Sequence, residues 1–197
     1  GSVLEDWYAA FGITQPDEID FDLGNAKAET GAIRTKCNNV IRAMMRASAG
    51  AWLPGQTYAV ALCGDNFFDD LVGNAETRAT YLNQQEAREL RSAVGQAFGT
   101  FDYGGIQFIN YRGTDDESTV HVHTDKCHFF PVNAPDAFRV GYSPAESFPF
   151  VNTPGQDVYA MVVVDKDRQM WVRPEVYSYP LFMCTRPGML QRAKRKA

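Results

Sequence analysis

The chain has 197 residues, 45% of them hydrophobic, enough to bury a core in one domain or two closely joined ones. Its 24 acidic residues outnumber the 19 basic ones, for a formal net charge of -5. That balance argues against tight, specific nucleic-acid binding, because each phosphate contact needs a cation. No apolar run approaches the roughly 20 residues of a membrane-spanning helix; Ala160–Val164 (AMVVV) has strand length.

Residues 1–12 lack the basic start and apolar centre of a secretory signal. Gly1-Ser2 resembles the remnant of a cleaved tag, so further sequence is expected upstream. Ile19, Phe21 and Leu23 alternate and predict a short strand. From Ala26 to Ser48, the apolar residues Ile33, Cys37, Val40, Ile41 and Met44 recur at steps of three and four. They predict the longest helix, with Asn25 as its cap and Gly50 at its end. Arg34, Lys36, Arg42 and Arg46 fall largely off that stripe, as a solvated face or a subunit contact.

After the Pro54-Gly55 turn, Thr57–Cys63 (TYAVALC) is apolar on both faces and predicts a buried strand. Asp65 is placed at the cap of a short helix carrying Phe67, Phe68, Leu71 and Val72, stopped by Gly73. A second helix is predicted over Gln84–Phe98. Asn83 and Glu86 resemble a capping box, and Leu90, Val94 and Phe98 form its buried side.

From Gly104 onward the period becomes strand-like. Ile106–Tyr111, Val120–His123 and Phe138–Tyr142 are strand candidates. Ser143–Gly155 carries three prolines and predicts a loop. Val158–Val164 and Met170–Tyr177 flank the polar turn 165–168 and predict a hairpin. Arg192, Lys194, Arg195 and Lys196 read as a solvated basic tail. Helices first and strands later indicate an α+β class rather than strict β-α alternation.

Chemistry-bearing motifs are scarce. GxGxxG, GxxxxGK[ST], GxSxG and HExxH are all missing. The four cysteines, Cys37, Cys63, Cys127 and Cys184, form no CxxC pair and are expected to be reduced, small buried hydrophobes. His121, His123, Cys127 and His128 fall within eight positions. On a strand, His121 and His123 share a face, and a turn could add Cys127 or His128 to a zinc-like set. The plainer reading is an exposed polar strand face. Asp65, Asp69 and Asp70 could hold magnesium, but read more simply as a helix start and its outer face. No catalytic, cofactor or metal site is therefore expected, and no cofactor.

Several ordered blocks carry a resemblance. Residues 63–72 (CGDNFFDDLV) with Glu76–Tyr81, residues 97–113 (AFGTFDYGGIQFINYRG), Phe138–Pro144 (FRVGYSP), Val151-Asn152-Thr153 with Gly155, and Pro180–Pro187 (PLFMCTRP) are similar to the lambda-like major capsid protein family, the E-type head proteins of tailed phages and prophages. The resemblance implies a Hong Kong 97-type capsid fold. Residues 1–56 and 157–197 would form a peripheral domain, with 26–48 as its spine helix and the C-terminal hairpin behind it. Residues 57–156 would form the axial domain.

The resemblance also implies a structural role without enzymatic activity. Copies would form hexamers and pentamers of an icosahedral shell around double-stranded DNA, contacted non-specifically. Scaffolding and decoration proteins are further expected partners, with no membrane. The location would be the virion capsid, and the host cytoplasm before assembly. The match covers a C-terminal portion. The family's N-terminal arm and projecting loop are missing, so this portion is expected to fold without building shells. Thr114–Phe130 departs from the family text. Phe148 and Phe150 are the candidate contacts around the capsomer axis. The alternatives are a zinc-stabilised module or zinc-dependent enzyme using His121, His123, Cys127 and His128, and a small-molecule or peptide-binding domain.

Overall fold

The doubly apolar text of residues 58–63 becomes the central strand of a six-stranded sheet in the computed structural model, which describes residues 6–25, 30–89, 99–111 and 122–196. The chain divides into two compact units, Gly1–Ala137 with Arg186–Ala197, and Phe138–Thr185. Both helix and strand are present, in keeping with the α+β class.

In the first unit the strands are β1 (Ile19–Asp20), β2 (Tyr58–Cys63), β3 (Thr100–Tyr103), β4 (Ile106–Asn110), β5 (Lys126–Val132) and β10 (Gln191–Lys194). Their order across the sheet is β1-β10-β5-β2-β4-β3. β1 is parallel to β10, and β2 to β4; the other neighbours are antiparallel. A parallel pair needs a crossover. Between β2 and β4 it contains α3 (Asp65–Gly73) and α4 (Arg78–Glu89).

The long helix, α2, is described over Ala32–Ala47, and residues 26–29 lie outside the described set. Its buried residues are Ile33, Cys37, Val40 and Met44, with Ile41 partly buried against the same core. Burying each large apolar side chain of this stripe contributes about 1.5–3 kcal/mol. Gly31, at φ 94°, is the N-cap, not Asn25, whose amide donates to Asp22 Oδ2 at 2.9 Å. A left-handed N-cap without a side chain cannot capture the first N–H groups. The Glu76 carboxylate supplies those acceptors from a distant part of the chain. Ala49 and Gly50, both at positive φ, turn the chain away beyond the C-cap Ser48.

Phe21, Phe67, Phe108 and Phe129 form the aromatic centre of the core. Phe21 lies 5.5 Å from Phe67 and 5.8 Å from Phe129, and Phe108 meets Phe129 edge-on at 6.1 Å. The same cluster contains the α2 stripe and residues of β2, β4 and β5. So α2 is backed by this sheet, while residues 159–177 pair in the other unit.

Several local expectations need correction. The cap of α3 is Gly64, with Asp65 in the first turn. Gly64 is required by close approach: a Cβ there would lie 2.2 Å from His123 O. The α4 helix starts at Arg78, so Asn83 lies inside it rather than at its cap. Leu90, Val94 and Phe98 fall outside the described residues. Val122 and His123 are not in a strand, and residues 120–121 are not described. The strand in this region is β5, Lys126–Val132 (KCHFFPV), which accommodates a proline. The Gly64 N–H donates to Lys126 O at 2.9 Å, which makes the even-numbered residues of β5 the hydrogen-bonded partners of β2. Pro131 therefore loses no donor toward β2, and it lies beyond the last β10 pairing at Phe129.

The second unit holds two antiparallel pairs. One joins β6 (Phe138–Tyr142) to β9 (Pro180–Cys184), the other β7 (Tyr159–Val164) to β8 (Val172–Tyr177). Fully buried Tyr159 is its anchor. The Tyr159 hydroxyl donates to Ser143 O at 3.2 Å and accepts the Gln156 N–H at 2.8 Å. Its ring meets Phe150 edge-on at 4.8 Å. A Cβ on Gly155 would lie 1.8 Å from Tyr142 O, so only glycine fits there.

The expected boundaries do not follow these units. Cutting at 56/57 would separate α2 from the sheet that shares its core, and cutting at 156/157 would separate Tyr159 from Phe150, Ser143 and Gln156. Of residues 157–197, only Arg186–Ala197 belongs to the same unit as the sheet.

Candidate functional site

The histidine-cysteine segment does not form a common site among the described residues, where no group of three or more His, Cys, Asp or Glu side chains has metal-binding geometry. His121 lies outside the described residues. His123 is exposed before a turn, its Nδ1 accepting the Asp125 N–H at 3.2 Å. Cys127 points into the core, whereas the next residue, His128, points to the opposite face of β5. Desolvation, then the Lys126 charge, lowers the His128 pKa. Strand alternation thus separates two of the four proposed zinc ligands, and the zinc reading is not supported.

The aspartate trio is dispersed too. Asp70 pairs with Arg195 at 3.1 Å, while Asp69 is exposed. The basic end is no solvated tail: β10 lies between β1 and β5. Arg192 Nε donates to Pro16 O at 3.2 Å, and Arg195 also reaches Asp125 at 3.3 Å.

What the second unit presents is apolar surface. In the β7–β8 ladder, Ala160 faces Val176, Val162 faces Pro174 and Val164 faces Val172. Alternation puts these six residues on one side of the hairpin. All are exposed, Val162 at 65% and Val176 at 69%. The other side carries Tyr159, Met161, Val163, Arg173, Glu175 and Tyr177. There Glu175 is ion-paired to Arg173 and accepts the Tyr177 hydroxyl. The Tyr177 hydrogen bond, against a smaller desolvation effect and helped by Arg173, lowers the Glu175 pKa.

The β6–β9 pair also exposes apolar side chains, Phe138, Val140 and Phe182 on one face and Leu181 on the other. In the loop between β6 and β7, Phe150 packs on Tyr159 but Phe148 is 94% exposed. The two loop aromatics therefore have different roles, a split their sequence did not reveal. The alternating valines were legible as strands, but their exposure was not, since alternation marks a face without saying what covers it.

Contiguous exposed apolar faces mark sites of contact with other protein surfaces, membranes or ligands. The chain belongs to the phage major capsid protein E family, whose profile its residues 1–195 match. It is 29% identical over 219 residues to the major capsid protein of Salmonella phage Felix O1 (isolate Felix O1-VT1), a match taking in 96% of this chain and 58% of that protein. It is 30% identical over 177 residues to the major capsid protein of Pseudomonas phage KPP10, with 84% and 49% covered. The chain thus spans about half the length of these curated relatives. Among solved structures, one described as a prophage capsid protein of E. coli CFT073 aligns with a TM-score of 0.49 at 13% identity, over 87% of this chain and 48% of that one. A virus-like particle from Pyrococcus furiosus aligns with a TM-score of 0.38 at 15% identity, over 90% and 56%.

Proposed function

We propose that this chain is shell-forming sequence of a tailed-phage or prophage major capsid protein, with a structural rather than enzymatic role. The observation that carries the reading is the family match along residues 1–195. In this reading, copies associate into hexamers and pentamers of an icosahedral shell of the Hong Kong 97 type, with α2 in the place of the spine helix. Peripheral and axial roles are then shared between the two compact units rather than divided at residues 56 and 156. The exposed faces of β6–β9 and β7–β8 suit lateral contacts between copies. The β7–β8 face carries short apolar side chains, which lose little conformational freedom on being covered.

The net charge of -5 suits a wall that encloses double-stranded DNA without gripping it. Assembly would begin in the host cytoplasm and end in the virion, with scaffolding or decoration proteins as further partners. The test is expression of the complete gene product containing this sequence, followed by negative-stain microscopy and sedimentation velocity. Closed, uniform shells or free capsomers are the expected products. A protein that remains a monomer at all concentrations and with all phage head proteins supplied would overturn the reading.

A further inference from the structure

Two cysteines that no sequence spacing linked meet in the core. Cys63 is the last residue of β2, Cys127 is the second of β5, and the register sets them directly opposite. Because the adjacent pair, Gly64 and Lys126, carries the 2.9 Å hydrogen bond, Cys63 and Cys127 occupy the closer, non-hydrogen-bonded kind of position. Its Cα atoms approach to about 4.5 Å, within the roughly 4.4–6.8 Å that a disulfide spans. Both side chains are fully buried and their sulfurs are 3.3 Å apart. A disulfide bond is about 2.05 Å long, so the sulfurs need to close by only about 1.3 Å.

The other thiols are placed differently. Cys37 packs against the β3–β4 turn, where a Cβ on Gly104 would lie 2.7 Å from the Cys37 Cβ. Cys184 belongs to the other compact unit. We infer that Cys63 and Cys127 are a covalent modification site, a dithiol that a small-molecule disulfide converts into an intrachain cross-link between β2 and β5.

The chemistry is thiol–disulfide exchange. One cysteine thiolate attacks a sulfur of the reagent R–S–S–R, forming a mixed disulfide and releasing R–S⁻, which takes up a proton. The second thiolate attacks the protein sulfur of that mixed disulfide, closing the Cys63–Cys127 bond and releasing a second R–SH. The protein loses two electrons and two protons, and the reagent gains them. Burial, then the Cys63 hydrogen bond, raises the Cys127 pKa well above the ordinary thiol value. Reaction therefore proceeds through transient opening of the sheet end and speeds up with pH. Once formed, the bond closes a loop across a sequence separation of 64 residues and restricts the unfolded chain.

The test incubates the reduced 197-residue protein with oxidised glutathione, then blocks remaining thiols under denaturing conditions and maps disulfide-linked peptides by mass spectrometry. The expected result is one intrachain link, Cys63 to Cys127, with Cys37 and Cys184 still alkylated, a raised Tm that returns to its starting value on reduction, and faster linkage at higher pH. Cys37→Ser should leave the link intact, and Cys127→Ser should abolish it. Mapping of the unmutated protein gives an answer even where a variant fails to fold. Links distributed among all four cysteines as in the unfolded chain, or glutathione adducts that never resolve into the Cys63–Cys127 bond, would overturn the inference.

Discussion

The Glu76 carboxylate accepts the backbone N–H of Ile33 at 3.0 Å, across a sequence separation of 43 residues. Its other oxygen accepts the Arg34 N–H at 3.0 Å and the Tyr103 hydroxyl at 2.7 Å. One side chain thus caps α2, favours its positive end and ties it to β3.

Removing that carboxylate exposes the N–H groups that Gly31 cannot serve. Glu76→Ala should lower stability by about 1–2 kcal/mol, and Glu76→Gln, which keeps one acceptor oxygen of two, by less. Urea unfolding followed by circular dichroism measures both; equal stability of all three proteins would remove the capping role.

The same group gives a pH dependence at both ends of the scale. Burial alone would raise the Glu76 pKa, but hydrogen bonds from Tyr103 and the Arg34 and Ile33 N–H groups outweigh it and hold it below 4.5. Its contribution is present above 4.5 and is lost as pH falls through the depressed folded value. Tyr103 is pushed up to about 12 from 10.0, by burial first and Glu76 second. Its contribution is full below pH 10 and is lost between 10 and about 12. Thermal melts across pH should show both losses, and Tyr103→Phe should remove the alkaline component.

Close approach at two glycines makes the steepest expectation. Gly64→Ala meets backbone at 2.2 Å and Gly155→Ala at 1.8 Å. Neither neighbour is a flexible side-chain tip, so each change should cost about 3 kcal/mol or more. Expression yield and Tm of the two variants check this, with Gly73→Ala, which meets nothing within 4 Å, as the comparison.

Charge on the valine face should separate folding from association. Val162→Asp and Val176→Asp place carboxylates on exposed positions, so monomer stability should change by about 0.5 kcal/mol or less. Self-association of the complete protein should fall sharply in sedimentation velocity. Normal shells from the double variant would exclude this face from the contacts.

Much of the core was legible because it follows local periodicity. The α2 stripe and the doubly apolar β2 text name their own faces, and the turn after Val164 names the hairpin. What escaped was non-local. No residue near position 31 announces Glu76 as a cap, and nothing in KCHFFPV shows that its proline falls beyond the end of a neighbouring ladder. The histidine segment misled because short spacing on a strand separates neighbours as readily as it joins them: Cys127 and His128 are adjacent in sequence and face opposite sides. Exposure of the valine face was illegible for a related reason, since the same alternation describes a buried hairpin.

The position of β10 between β1 and β5 has a consequence for synthesis on the ribosome. Strand β1 has its sheet partner in residues 191–194, so that pairing waits until all of residues 21–190 have been translated. Until those residues emerge from the exit tunnel, β5 keeps an open edge. The last bonds of this sheet form only after the intervening unit has already been made, and its closure reports that residues 19 to 194 have all been translated.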